Sequence, residues 1–174
     1  MMNTRVRRTW PLSLIRSLGF NGIWLPSPPG ADLLNEARRL GLWIVCPPPV
    51  ERGAAGEDQV QPMQEFDRVL AWDLGRVQSL EQVARLRDLA AQVREIDQSS
   101  QRPLLCAPDA GTRACSRFAD ALVFGRDPLC GGLGLTEYGN WLRERPRLAR
   151  PGTPFWTSVQ TEVPRALMEQ WTAS

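Results

Sequence analysis

The stretch from Phe20 to Pro49 reads FNGIWLPSPPGADLLNEARRLGLWIVCPPP and contains two short apolar runs, each followed by proline. Between these runs, the segment from Ala31 to Leu40 places its leucines on one face of a helix, and Gly41 follows as a helix stop. Proline has no N–H to donate to a neighbouring strand, so it marks where a central strand leaves its sheet. The pattern predicts a strand–helix–strand unit whose parallel strands are buried on both faces.

The same alternation of apolar runs and amphipathic segments continues to the end of the chain. Further strands are predicted at residues 69–74, 103–107, 121–124 and 155–161, and further helices at 79–96, 135–148 (interrupted at Pro146) and 165–171. The polar stretch from Val50 to Pro62 is predicted to be a loop. Six strands that alternate with helices indicate an α/β fold with parallel strands.

Two α/β architectures compete, an open doubly wound sheet and a closed (β/α)₈ barrel of the TIM type. No GxGxxG fingerprint follows any predicted strand, which argues against the doubly wound sheet. A complete barrel takes about 250 residues and eight strands. The 174-residue chain, with about six βα units, is therefore interpreted as one incomplete barrel domain over residues 1–174, either truncated or closed by a partner.

The composition excludes several kinds of chemistry. The chain has no histidine and its 21 basic residues are all arginine. Without histidine there is no Ser-His or Cys-His nucleophile and no His-ligated metal, and without lysine there is no Schiff base. We expect no cofactor. The net charge of +2 gives no argument for nucleic acid as a partner, and no apolar run approaches the roughly 20 residues that span a membrane. The compartment is left open.

Four cysteines are widely spaced and form no CxxC pair. Two of them, Cys46 and Cys106, lie in apolar runs, so they are interpreted as small buried thiols.

Four motifs resemble one enzyme family. The runs LGFNGIWLP and ADLLNEARRLGLWIVCPPP are similar to the second and third βα units of clan-A glycoside hydrolases, the β-galactosidase- and cellulase-like TIM-barrel superfamily. AWDLG, from Ala71 to Gly75, looks like the fourth strand of such a barrel, and TPFWTSVQTE, from Thr153 to Glu162, looks like the seventh. The order and spacing of the motifs carry more weight than any single one. The chain is identified by resemblance as a truncated or degenerate member.

The resemblance implies a retaining mechanism with two carboxyl groups. In such enzymes the groups lie about 5–5.5 Å apart; one protonates the leaving oxygen and the other attacks the anomeric carbon. Carried over to this chain, the catalytic residues are Asp73 as acid/base and Glu162 as nucleophile. The family's Asn-Glu pair is replaced here by Asp73-Leu74-Gly75-Arg76, so whether the chain is an enzyme stays open.

Other residues near strand ends are candidates for substrate binding: Trp24, Trp72, Trp156, Asp109, Asp127 and Gln160. An indole face packs well on the C–H face of a pyranose, although an indole also fills a protein core well. The aspartates follow strands, in the loops from which barrel active sites are built, or else serve only as turn residues. Strand alternation points Gln160 to the same face as Glu162.

The favoured interpretation is a glycoside hydrolase-like protein that acts on or binds β-linked carbohydrates, hydrolysing O-glycosyl bonds if its carboxylate pair is competent. The alternative is a catalytically inactive carbohydrate-binding or scaffold protein on the same frame. A separation of more than about 10 Å between the carboxyl groups of Asp73 and Glu162 excludes both standard glycosidase geometries. A third interpretation, an open-sheet nucleotide binder, has no phosphate loop to support it.

The incomplete barrel leads to a prediction about association. If the first and eighth strands are absent, the strands that begin at Phe20 and Phe155 are open edges with unpaired N–H and C=O groups. We expect the isolated chain to self-associate through these edges or to be marginally stable, which sedimentation and hydrogen exchange will test. A monodisperse monomer with slow amide exchange across both terminal strands would contradict this expectation.

Overall fold

The fold is known from a computed structural model, which describes residues 11–52, 58–61, 66–125 and 134–157. In chain order the elements are α1 (Leu12–Ser17), β1 (Gly22–Trp24), α2 (Ala31–Leu40), β2 (Trp43–Cys46), β3 (Val50–Arg52), β4 (Asp58–Val60), β5 (Val69–Val77), α3 (Leu80–Ile96), β6 (Leu104–Pro108), α4 (Thr112–Cys115), β7 (Ala121–Phe124), α5 (Leu135–Glu144), a 3₁₀ helix (Arg145–Leu148) and β8 (Phe155–Thr157). None of the described helices is long and apolar enough to cross a membrane.

Six of the strands form one sheet, in the order β1-β2-β5-β6-β7-β8. The pairings of β1 with β2, β2 with β5, β6 with β7 and β7 with β8 are all parallel. Apart from the separate β3–β4 pair, each strand therefore lies beside the next one in the chain. A doubly wound sheet reverses its order at a switch point, whereas a (β/α)₈ barrel keeps chain order. The predicted α/β fold with a partial (β/α)₈ arrangement is confirmed.

The chain divides into two compact units, Met1–Trp72 and Asp73–Ser174, with the division inside β5. In the first unit, Gly22 of β1 lies opposite Trp43 of β2, and Cys46 of β2 lies opposite Trp72 of β5. Helix α2 buries Leu34 and Ala37, the apolar positions that predicted it.

Two contacts hold the carboxyl end of α2 in the first unit. Gly41 takes the left-handed conformation (φ +65°), and its N–H donates to the carbonyl oxygens of the last turn. The Arg38 guanidinium donates two hydrogen bonds to Asp67, with Nε–Oδ2 and Nη2–Oδ1 distances of 2.9 and 2.8 Å. These charge-assisted bonds hold the pKa of Asp67 below its ordinary value. The pair joins α2 to the segment that leads into β5.

In the second unit, α3 begins with a reciprocal cap. Ser79 Oγ accepts from the Gln82 N–H at 3.4 Å, and Gln82 Oε1 accepts from the Gln78 N–H at 2.7 Å. Leu86, Ala90 and Val93 form the buried face of the helix. The first three residues of β6 are completely buried, as expected of a central parallel strand.

The loop predicted between Val50 and Pro62 is wrong for its described residues. Strands β3 and β4 pair there in antiparallel register, with Val50 opposite Val60 and Glu51 opposite Gln59. The two valines form an apolar cross-strand pair, a stabilising contact that the polar character of the surrounding sequence conceals.

Other features also differ from prediction. Strand β5 continues to Val77 instead of ending at residue 74, because Gly75 adopts φ +95° and lets the chain bend without leaving the sheet. Helix α4 was not predicted, since four residues are too few to show a period. The predicted interruption at Pro146 is confirmed, because the helical segment changes there to a 3₁₀ helix. The predictions for residues 158–161 and 165–171 lie outside the described residues.

A buried ion pair closes the segment after α3. Asp97 is 4% exposed and Arg102 is 9% exposed, and the Arg102 guanidinium donates to Asp97 Oδ1. The Arg102 N–H also donates to Asp97 Oδ2, at 3.2 Å. Removing one member of a buried pair leaves the other charge without compensation, which costs far more than breaking an exposed pair.

We therefore predict that Asp97→Ala lowers the free energy of unfolding by about 3–5 kcal/mol, because it leaves the buried Arg102 guanidinium without a compensating charge. The matched control is Asp88→Ala, which breaks an exposed contact with Arg87 (side chains 66% exposed) in the middle of α3, the helix that Asp97 caps. The control should cost no more than about 1 kcal/mol. Urea unfolding measures the free energy of unfolding of both variants. Equal losses would show that the buried Asp97–Arg102 pair contributes no more to stability than the exposed Arg87–Asp88 pair.

Candidate functional site

A shared backbone acceptor brings the carboxyl ends of β5 and β6 together in the second unit. The Val77 carbonyl oxygen, at the end of β5, accepts hydrogen bonds from the N–H groups of Asp109 and Ala110, at 2.8 and 3.1 Å. Asp109 follows the last residue of β6 directly. The neighbouring Arg76 side chain therefore meets the Asp109 side chain at the strand ends.

Arg76 and Asp109 form a two-bond ion pair. The Arg76 Nε group donates to Asp109 Oδ2, and Nη2 donates to Oδ1 at 3.1 Å. The side chains are 60% and 40% exposed, so both groups are partly accessible to solvent. A fork-to-fork arrangement fixes the orientation of both groups. Further lone pairs of the carboxylate can accept hydrogen bonds from hydroxyl groups.

The pair borders a cavity of about 110 Å³ at the carboxyl ends of three strands. Its lining comes from β5, from β6 and β7 with the residues that follow them, and from α5: Arg76, Ala107, Pro108, Asp109, Val123, Phe124, Gly125 and Trp141. One water molecule takes about 30 Å³ of liquid volume, so the cavity holds a few hydroxyl-sized groups. The carboxyl ends of parallel strands are where barrel proteins build their active sites.

Trp141 supplies the aromatic wall of this cavity. Its indole stacks on the ring of Tyr138, one helical turn earlier, with centroids 6.0 Å apart and planes at 15°. Phe124 contacts the indole edge-on at 6.4 Å. The Arg145 guanidinium lies 4.9 Å from the indole centroid. This cation–π contact and the two ring contacts hold the indole in place beside the polar pair.

Of the predicted functional residues that the structure describes, only Asp109 lines the cavity. Arg76 and Trp141 were missed. The sequence does hold a signal for the Trp141 wall, because Tyr138, Trp141 and Arg145 are spaced by three and four residues, the spacing of neighbours on a helix face. No comparable signal marks Arg76, because its partner follows a different strand.

The predicted acid/base, Asp73, lies within β5 rather than at its carboxyl end. Its side chain is half-buried, and Oδ1 accepts the Gly75 N–H at 2.9 Å. The buried Cys106 thiol lies close enough to feel the charge of this carboxylate. The predicted nucleophile Glu162 and the predicted ligand residues Gln160 and Asp127 lie outside the described residues.

The three predicted tryptophans differ sharply in exposure. Trp72 is completely buried and packs edge-on against Phe66 at 5.5 Å, so its indole is part of the core. Trp24 ends β1 and is 45% exposed, and Trp156 lies in β8 and is 41% exposed. Neither Trp24 nor Trp156 lines the 110 Å³ cavity.

A larger cavity of about 490 Å³ lies beside the carboxyl end of α3 and the amino end of β6. Its charged lining is already engaged: Asp97 binds Arg102, and the Arg94 guanidinium binds both Asp120 oxygens at 2.9 Å. Asp120 also accepts the Leu104 N–H at 2.7 Å. At the amino end of barrel strands such contacts serve stability, so the smaller cavity is the better candidate.

No cluster of three or more histidine, cysteine, aspartate or glutamate side chains suited to a metal ion occurs within the described ranges. Comparisons with protein-family models, with curated proteins and with solved structures give no match.

The loop that carries Asp109 generates a second prediction. Gly111 ends this loop with φ +66°, and an added Cβ would lie 2.8 Å from Val83 Cγ2 on α3. Gly111→Ala therefore combines left-handed strain of about 1 kcal/mol with overpacking of about 1–3 kcal/mol. Gly152→Ala is the control in the same unit, since Gly152 has φ +82° and nothing within 4 Å of the added Cβ. Urea unfolding should show the larger loss for Gly111→Ala; equal losses would exclude a steric role for Val83.

Proposed function

We propose that this chain is a glycoside hydrolase-like protein that binds β-linked carbohydrate at the carboxyl ends of β5, β6 and β7. The observation that carries the proposal is one cavity bordered by the Arg76–Asp109 pair and by the indole of Trp141. Sugars present hydroxyl groups that both donate and accept hydrogen bonds, together with apolar C–H faces. The Asp109 carboxylate can accept hydrogen bonds from hydroxyl groups, and the apolar part of the cavity lining complements the C–H faces.

The small size of the cavity favours weak binding of only part of a sugar. A volume of about 110 Å³ admits the hydroxyl-bearing end of a sugar and leaves the rest of the ring outside, against the exposed parts of Arg76 and Asp109. The ion pair is already formed, so little side-chain ordering is required when a ligand binds. We expect dissociation constants on the order of 1 mM, which correspond to about −4 kcal/mol.

Hydrolysis is the second part of the proposal and depends on Asp73 and Glu162. Glycosidases place their two carboxyl groups about 5–5.5 Å apart for retention or about 6.5–9.5 Å apart for inversion. Asp73 lies inside β5 and already accepts the Gly75 N–H, which favours the alternative of a catalytically inactive binding or scaffold protein. The function proposed first is therefore binding.

Isothermal titration with a panel of β-linked oligosaccharides tests binding. We predict weak heats for at least one sugar, with affinity reduced about tenfold or more by Asp109→Asn and by Arg76→Met, because each substitution removes one half of the polar pair. The control is Arg94→Met, which removes a similarly exposed guanidinium paired with Asp120, next to the amino end of β7. It should bind as the parent chain does. No heat with any sugar, or equal losses in all three variants, would reject the proposal.

An assay of nitrophenol release from aryl β-glycosides distinguishes hydrolysis from carbohydrate binding alone. Turnover that disappears in both Asp73→Asn and Glu162→Gln supports the glycosidase. Binding without turnover supports the inactive alternative.

A further inference from the structure

Two buried cysteines meet behind the Asp109 loop. Cys106 is the third residue of β6, and Cys115 is the last residue of α4. Both side chains are completely buried, and the thiols hydrogen-bond to each other. The two residues lie on either side of the segment that contains Asp109 and Gly111.

The two thiols are not equivalent. The hydrogen bond from the Cys106 thiol lowers the pKa of Cys115, while the same bond, burial and the nearby charge of Asp73 raise the pKa of Cys106. The thiolate is the nucleophile in thiol–disulfide exchange, so Cys115 is the sulfur that reacts first.

The surrounding structure favours the same order. Helix α4 is a single turn, held by bonds such as the Cys115 N–H to the Gly111 carbonyl at 2.9 Å and the Ser116 N–H to the Thr112 carbonyl at 3.0 Å. Cys106 lies in a strand with neighbours on both sides, β5 and β7. Local opening of a short helix requires less free energy than opening a central strand, so Cys115 becomes accessible before Cys106 does.

We propose that Cys106 and Cys115 form a modification site at which a low-molecular-weight disulfide, such as oxidised glutathione, introduces an intrachain disulfide between β6 and α4. The Cys115 thiolate attacks one sulfur of the small disulfide and releases one thiolate, leaving a mixed disulfide. Cys106 then loses its proton and attacks Cys115 Sγ, and the second small thiolate leaves. In balance, two protein thiols are oxidised to one disulfide and one small disulfide is reduced to two thiols.

The cross-link would restrain both ends of the segment that carries Asp109. Closing a loop of about ten residues should raise the thermal midpoint by about 5–10 °C, reversibly with a reducing thiol. This inference stands apart from carbohydrate binding, because its readouts are a covalent bond and a thermal midpoint.

The test incubates the full folded chain with oxidised glutathione, blocks remaining thiols by alkylation and maps the peptides by mass spectrometry. The expected product is a peptide pair joined through Cys106 and Cys115, absent from Cys115→Ser. In Cys106→Ser the reaction should stop at a glutathione adduct on Cys115, because the resolving thiol is gone. The peptide map of the parent chain still tests the proposal if a variant fails to fold.

Cys46 is the internal control, since it is also completely buried but lies in β2 of the first unit. Modification of Cys115 while Cys46 stays unmodified supports local opening of α4. The proposal is overturned if both Cys106 and Cys115 stay reduced in the folded chain. It is equally overturned if Cys46 reacts as fast as Cys115, because the reaction then proceeds through global unfolding.

Discussion

The carbonyl oxygen of Val77 holds together most of what distinguishes the second unit. It accepts two backbone N–H groups from the loop after β6, so the ends of β5 and β6 lie at one level. That alignment places Arg76 against Asp109. The same loop leads to Gly111, whose left-handed conformation directs the chain into α4. Helix α4 then places Cys115 behind β6. The positions of the polar pair, the cavity and the thiol pair therefore depend on one carbonyl oxygen that accepts two hydrogen bonds.

Much of the fold could be predicted because the residues that form and end its elements can be recognised within a short stretch of sequence. Helix α2 was predicted residue for residue from its apolar face and from Gly41, and β7 likewise from its apolar run. The β3–β4 pair could not be predicted in the same way, because it depends on Val50 pairing with Val60, ten residues further along the chain. The extension of β5 depends on the backbone dihedral that Gly75 adopts, which no side-chain pattern reveals.

The site was less predictable because its members meet only through strand register. Asp109 was found by its place after a strand, but its partner Arg76 follows from the alignment of β5 with β6. The three strand tryptophans show the same limit of local reasoning. Each lies in an apolar run, yet Trp72 is buried in central β5, whereas Trp24 and Trp156 are partly exposed on β1 and β8, the first and last strands of the sheet order. Residue type and an apolar run therefore do not by themselves decide whether an indole fills the core.

The chain-order arrangement of the strands also bears on how the protein assembles during synthesis. In the four pairs of the six-stranded sheet with defined register, each strand pairs with the next strand of that sheet along the chain. The partners most distant in sequence are those of β7 and β8, such as Leu122 and Phe155. Such sequential pairing keeps loop-closure entropy small at each step. A nascent chain can add one strand and its helix at a time as it leaves the ribosome, and the growing edge of the sheet is always the newest strand.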